Sequence, residues 1–350
     1  MSDFNKQDSK IDYIELRKNI NKMQFEARKR AKPTKCIICG RNQDGFCDSH
    51  SVPKMYLNSI ADNGMLIQAA ALIDFDYRVI DLEKGVKKSG TFDFICNSCD
   101  NIFFKDYEDR NNIIQFPTDK MLAEIAVKNF LLQISKRCVE KELYNIIQNR
   151  YGTYHNFDAL LNILDVDKDE YVKEFEFHKN IADNNIKGGY QILYWKVLPY
   201  TVPIAMQSAI NMVKDLENNI INNPYDFKTS TRMQYLHLCI FPLKDKSVVI
   251  AFYHKRDKVY RKLRHQFNSI SEEKQLCYLN YLVFAYTENF FISKKIKHEL
   301  ETNINLRKLS QESFGEPSLG FLDQENLFGI GYEPISMQDI PNFLLEEWSI

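Results

Sequence analysis

Two short stretches, Cys36-Ile37-Ile38-Cys39-Gly40-Arg41 and Cys96-Asn97-Ser98-Cys99-Asp100, decide how the N-terminal third of this chain folds. A C-x2-C pair forms a knuckle whose two sulfurs converge on one centre about 2.3 Å away, and two knuckles make a closed tetrahedral zinc site. A redox role would call for a thioredoxin-like βαβ context, which neither pair has, and two copies in one chain favour a metal. A structural Zn²⁺ held by Cys36, Cys39, Cys96 and Cys99 is therefore expected.

Just after the first knuckle the chain reads Phe46-Cys47-Asp48-Ser49-His50-Ser51-Val52-Pro53-Lys54. The second knuckle is followed by Asp100-Asn101-Ile102-Phe103-Phe104-Lys105-Asp106-Tyr107-Glu108. The order is knuckle, a histidine with proline three residues on, second knuckle, and a helix that opens with a carboxylate. Over residues 34–110 this order resembles the HNH endonuclease superfamily, the ββα-metal or His-Me finger nucleases built on a zinc-supported treble clef. It looks closest to a divergent group worded Ser-His-x-Ile/Val-Pro-Lys and Cys-x2-Cys-Asp. The resemblance implies His50 as general base and Asp100 as ligand of a catalytic Mg²⁺ or Mn²⁺. It also implies Glu108, two helical turns further on, as a second ligand or positioning group. The family's acid directly before the histidine is Ser49 here, and Asp48 could replace it only if the strand is bent, because neighbouring side chains of a strand face opposite ways.

The chemistry is coherent on its own terms. Phosphodiester hydrolysis needs a base that titrates near neutrality, which histidine is. It also needs a hard cation, and Mg²⁺ suits one or two carboxylates with waters completing its shell. The resemblance further implies a role as effector of a bacterial anti-phage or mobile-element system. The substitution at Ser49 keeps a second reading open, a non-enzymatic zinc module that binds nucleic acid or a partner protein.

The rest of the chain reads as α+β. Its 350 residues correspond to roughly two domains of ordinary size. With 44% hydrophobic and 27% charged residues it is neither disordered nor a coiled-coil rod. A basic helical arm is expected over 1–33, a zinc-binding nuclease-like domain over 34–117, and a helical region over 118–189. A C-terminal α+β regulatory or assembly domain follows over 190–308, and an acidic tail over 309–350. The clearest helix spans 120–150, with Thr118 or Asp119 as cap. Strands are expected at 190–200 and as a hairpin at 235–254, with helices at 256–268 and 271–291. Residues 151–189 show no clean period.

The formal net charge of −1 hides a patterned distribution. Residues 15–35 sum to +6, 254–264 to +5, and 309–350 to −8. Arg28, Lys29, Arg30, Lys54, Lys105, Lys255, Arg256, Arg261, Lys262 and Arg264 are the candidate nucleic-acid contacts, with DNA favoured over RNA. The acidic tail is expected to shield a basic surface, within one chain or between subunits of a homo-oligomer. A polar N-terminus and the lack of a long apolar run point to a cytoplasmic protein without a membrane span.

Overall fold

The computed structural model describes residues 13–42, 45–69, 83–152, 158–223, 232–314 and 335–350. Its centre is an antiparallel sheet of seven strands in the order β3-β2-β9-β6-β7-β8-β5. The strands are β2 Met65–Gln68, β3 Glu83–Gly85, β5 Tyr190–Leu198, β6 Ile204–Ile210, β7 Leu236–Pro242, β8 Ser247–His254 and β9 Phe290–Ile292. A separate two-stranded ladder pairs β1 Ser49–His50 with β4 Thr91–Phe92, Ser49 opposite Phe92 and His50 opposite Thr91.

The period-2 alternation of strands explains how one sheet serves two cores. Leu236, Leu238 and Ile240 of β7 join one apolar cluster, while Cys239 and Phe241 join the other. The cluster with Cys239 and Phe241 takes in the zinc module together with α5 (Asp119–Tyr151) and α6 (Asp158–Asp183). The cluster with Leu236, Leu238 and Ile240 takes in α7 (Tyr260–Asn268), α8 (Glu272–Tyr286) and the C-terminal Ile340, Phe343 and Leu344. Mixed α+β architecture is thus what the sequence forms, and the helices α1 (Tyr13–Ala31), α2 (Lys54–Ile60), α3 (Asn97–Phe103) and α4 (Arg110–Ile113) complete its N-terminal side.

Several expected elements take a different form. Strands β2 and β3, from the segment expected to be a zinc domain of its own, enter the sheet of the C-terminal segment through β2 and β9. The helix expected over 271–291 ends at Tyr286, because Thr287 is extended and Phe290–Ile292 fill the gap between β2 and β6. Residues 151–189 hold α6, whose acidic residues mask its period. Those acids dock it on α5: Asp165 pairs with Lys141 at 2.6 Å and Asp167 with Arg137 at 3.6 Å.

Residues 335–350 are no detached tail. The Tyr200 hydroxyl donates to the Leu344 carbonyl, and Asn280 donates to Pro341 and accepts from Phe343. Among the described residues, Asp339, Glu346 and Glu347 make no ion pair with either basic block. Deleting 310–350 removes core residues, and residues 315–334 of the expected tail lie outside the described residues.

Gly90 is a tight point beside the β1–β4 ladder. Its φ is +62°, and an added Cβ would meet the Ser51 hydroxyl and come within 2.6 Å of the Phe291 ring. Gly90→Ala should therefore lower stability by about 2 kcal/mol, through left-handed strain and overpacking. Urea unfolding monitored by tryptophan fluorescence reads this out, and an unchanged midpoint would count against the tight contact.

Candidate active site and metal centre

The two knuckles meet as expected. The sulfurs of Cys36, Cys39, Cys96 and Cys99 all lie within 4.8 Å of one another. Four thiolates around a tetrahedral cation sit about 3.8 Å apart at a bond length of about 2.3 Å, so the set fits one zinc ion. The local fold builds this geometry. Cys36 accepts from Gly40 N at 2.8 Å in a turn that needs the positive φ of Gly40, +69°. Cys96 N donates to the Cys36 sulfur at 3.4 Å, joining the knuckles through backbone. Cys47 stays outside the set, since its thiol donates to the Ile95 carbonyl at 3.2 Å. Burial, with Asp100 adding to it, pushes that thiol up to about 12. Among the described residues this quartet is the one group of three or more metal-type side chains that converge so closely.

The segment Ser49–Pro53 is spelled out by its partners. The Ser49 hydroxyl, fully buried, donates to Asp100 Oδ1 at 2.7 Å. His50 Nε2 lies 3.0 Å from the Val86 carbonyl. A carbonyl only accepts, so Nε2 carries the proton and Nδ1 the lone pair. Ser51 donates to Asn289 at 2.6 Å, and Asn289 donates to the Gln207 carbonyl, which ties the ladder to the central sheet. Val52 is buried, and the Pro53 carbonyl accepts from Tyr56 N at the start of α2. Tyr56 in turn stacks on Phe241 at 4.4 Å and donates to the Tyr107 carbonyl.

Burial, offset in part by the Val86 hydrogen bond and reinforced by Lys128 and Lys54, lowers the His50 pKa below the ordinary histidine value. His50 is therefore a neutral base down to lower pH than a free imidazole.

Asp100 lies in the first turn of α3, whose N-cap is Cys96. Glu108 is not on that helix. α3 ends at Phe103 because Phe104 and Tyr107 turn inward and are fully buried, so Glu108 sits in the turn that follows. The two carboxylates still come together, but through a residue that the sequence did not single out. The ammonium of Lys128, on α5 and 2% exposed, reaches Glu108 Oε1 at 2.5 Å and Asp100 Oδ1 at 3.3 Å. It also lies 4.2 Å from the centre of the Phe104 ring. Burial alone would push this ammonium down; Glu108 and Asp100 outweigh it, and the net shift is upward.

Lys128 approaches from the interior, whereas Asp100 and Glu108 remain 24% and 30% exposed. The second oxygen of each carboxylate accepts no hydrogen bond among the described residues. These outward oxygens are suited to a hard cation. Asp48, by contrast, is exposed, and the buried Ser49 is the residue that faces Asp100, so the strand is not bent to bring Asp48 in.

No family model, curated protein or solved structure matches this chain.

The remaining candidates divide. Lys54 and Lys105 are exposed, and Lys54 is close enough to act on His50. Arg28 and Lys29 are exposed on α1, while Arg30 pairs with Glu26 at 2.6 Å. Burial, then Arg28 and Lys88, push the Lys84 ammonium down, which puts three cations beside one another. Lys84, Lys87 and Lys88 flank Val86, the residue that accepts from His50, and the stretch Lys84-Gly85-Val86-Lys87-Lys88 was the missed signal. In the second basic block, Arg256 pairs with Glu174 over the Phe177 ring and Lys262 pairs with Glu217 at 2.9 Å. Lys255, Arg261 and Arg264 line a common concavity. No helix among the described residues is long and apolar enough to cross a membrane.

Proposed function

We propose that this chain is a cation-dependent endonuclease that hydrolyses phosphodiester bonds of nucleic acid, with DNA favoured by the resemblance to HNH enzymes. The observation that supports the reading is the pair of carboxylates Asp100 and Glu108 gathered on Lys128, with His50, its Nε2 held by Val86, next in the chain to the Ser49 that anchors Asp100. The lysines around Val86 add a phosphate-attracting rim.

His50 Nδ1 takes a proton from the attacking water, and Val86 fixes the tautomer and the ring. Mg²⁺ or Mn²⁺ held by the outward oxygens of Asp100 and Glu108 would neutralise charge on the phosphoryl and leaving oxygens. Lys128 is a positioning residue that holds both carboxylates from below. The zinc quartet supports the ladder and α3 and takes no chemical part.

Asp100→Ala should weaken Mn²⁺ binding, followed by electron paramagnetic resonance, and lower plasmid cleavage at least about a hundredfold. Unchanged Mn²⁺ binding would remove Asp100 from the site.

One observation favours a second reading, a zinc module that binds nucleic acid without cutting it. Lys128 already neutralises one of the two carboxylate charges, and Ser49 satisfies Asp100, as a purely structural ion cluster would. Binding of plasmid with no cleavage under any divalent cation would select it.

A further inference from the structure

The geometry points to a second binding site, a pocket for a polyanionic phosphate group on the opposite edge of the sheet from the His50 site. Gln191 of β5 and Tyr253 of β8 stand opposite each other in the ladder, and the chain continues from β8 to Lys255. Helix α7 adds Arg261, Arg264 and His265, which fall on one face at i, i+3 and i+4. Together these six residues line a cavity of about 260 Å³. β5 is the edge strand at one end of the sheet, and β3, whose residues adjoin Val86 and His50, is the edge strand at the other.

The charge in this pocket is unmet. Lys255, Arg261 and Arg264 contribute three full positive charges, and no Asp or Glu is among the lining residues. The Lys255 ammonium donates to the Gly188 carbonyl, at 2.7 Å, and among the described residues the buried Arg264 Nε has no acceptor. Arg256 and Lys262 of the same sequence block are spent on Glu174 and Glu217 and stay out of it. Tyr253, 2% exposed, forms part of the cavity wall. A buried donor left without an acceptor, as Arg264 Nε is, is costly, and an anion in the pocket would satisfy it.

The excess charge also selects the ligand. A single phosphodiester carries one negative charge and would leave most of it uncompensated, whereas a phosphomonoester or diphosphate carries two or more. The volume lies at the low end for small-molecule sites and suits a phosphate chain rather than a length of duplex. Such a group comes either from a free nucleotide or from the 5′-phosphorylated end of a nucleic acid.

The proposal stands apart from the nuclease reading. Titrations of the full chain use ATP as one probe and a 5′-phosphorylated oligonucleotide, compared with its 5′-hydroxyl form, as the other. Binding of ATP or a clear preference for the 5′-phosphate is expected, and whichever occurs names the source. The Arg261→Gln/Arg264→Gln variant should bind about tenfold more weakly or worse, while Lys262→Gln, outside the pocket, and His50→Ala should bind as the native chain does. Thermal melting confirms that the double variant is folded. Failure of the native chain to bind ATP together with equal binding of the two oligonucleotides would overturn the proposal. So would unchanged binding by the folded double variant.

Discussion

Cys96→Ser should strip the metal and loosen the whole N-terminal module, lowering the melting temperature by about 5 °C. The zinc quartet joins the first knuckle to the start of α3, and that junction also holds the β1–β4 ladder. Structural zinc binding is worth about 10–16 kcal/mol in isolated fingers. Here only part of that is expressed, because Val52, Tyr56, Phe104 and Tyr107 give the module an apolar core that is continuous with the central sheet. A net loss of about 4 kcal/mol corresponds to roughly that shift in melting temperature for a chain of this size. Elemental analysis should find one zinc per native chain and none in the variant. Zinc retained by the variant, or a metal-free native protein that melts no lower, would contradict a structural role.

The second large effect is expected at Lys128. Lys128→Met keeps the length of the side chain but leaves Asp100 and Glu108 facing each other with no cation beneath them. Removing one partner of a buried ion cluster costs about 3–5 kcal/mol. Both carboxylates are partly exposed and can recover some hydration, so about 2–3 kcal/mol is expected. Adding Glu108→Gln should recover part of it, as non-additivity in a double-mutant cycle. Chemical denaturation of the four proteins measures this. Strict additivity would show that the three groups do not act as a unit.

Legibility of the sequence follows how local each signal is. The C-x2-C pairs encode their geometry within four residues. Thr118 and Ser271 act as caps through bonds to the next turn, so both helix starts could be read. The hairpin of β7 and β8 closes over four residues, with Leu243 N donating to Lys246 O. Strands of two to four residues, such as β1, β2, β4 and β9, are too short to show a period, and their pairing with distant partners lies beyond local pattern.

Lys128 was hidden for another reason. It falls within Met121–Leu132, where every residue is buried, and a lone lysine in an apolar helix reads as a residue that snorkels outward. Only the meeting of α5 with α3 and the following turn reveals its partners. Glu108 was legible as a carboxylate near Asp100, but not as a turn residue, because the end of α3 is set by the burial of Phe104.

His50 is the proposed base. The most direct measurement is cleavage of supercoiled plasmid by native protein and by His50→Ala as a function of pH, with Mg²⁺ or Mn²⁺ present. Native protein should cut, with the acid limb of its pH profile below the ordinary histidine pKa of about 6.5, since burial disfavours the protonated ring. His50→Ala, with its zinc content and melting temperature unchanged, should be slower by about a hundredfold to ten-thousandfold. Equal cleavage by the two proteins would contradict the assignment of His50 as the base.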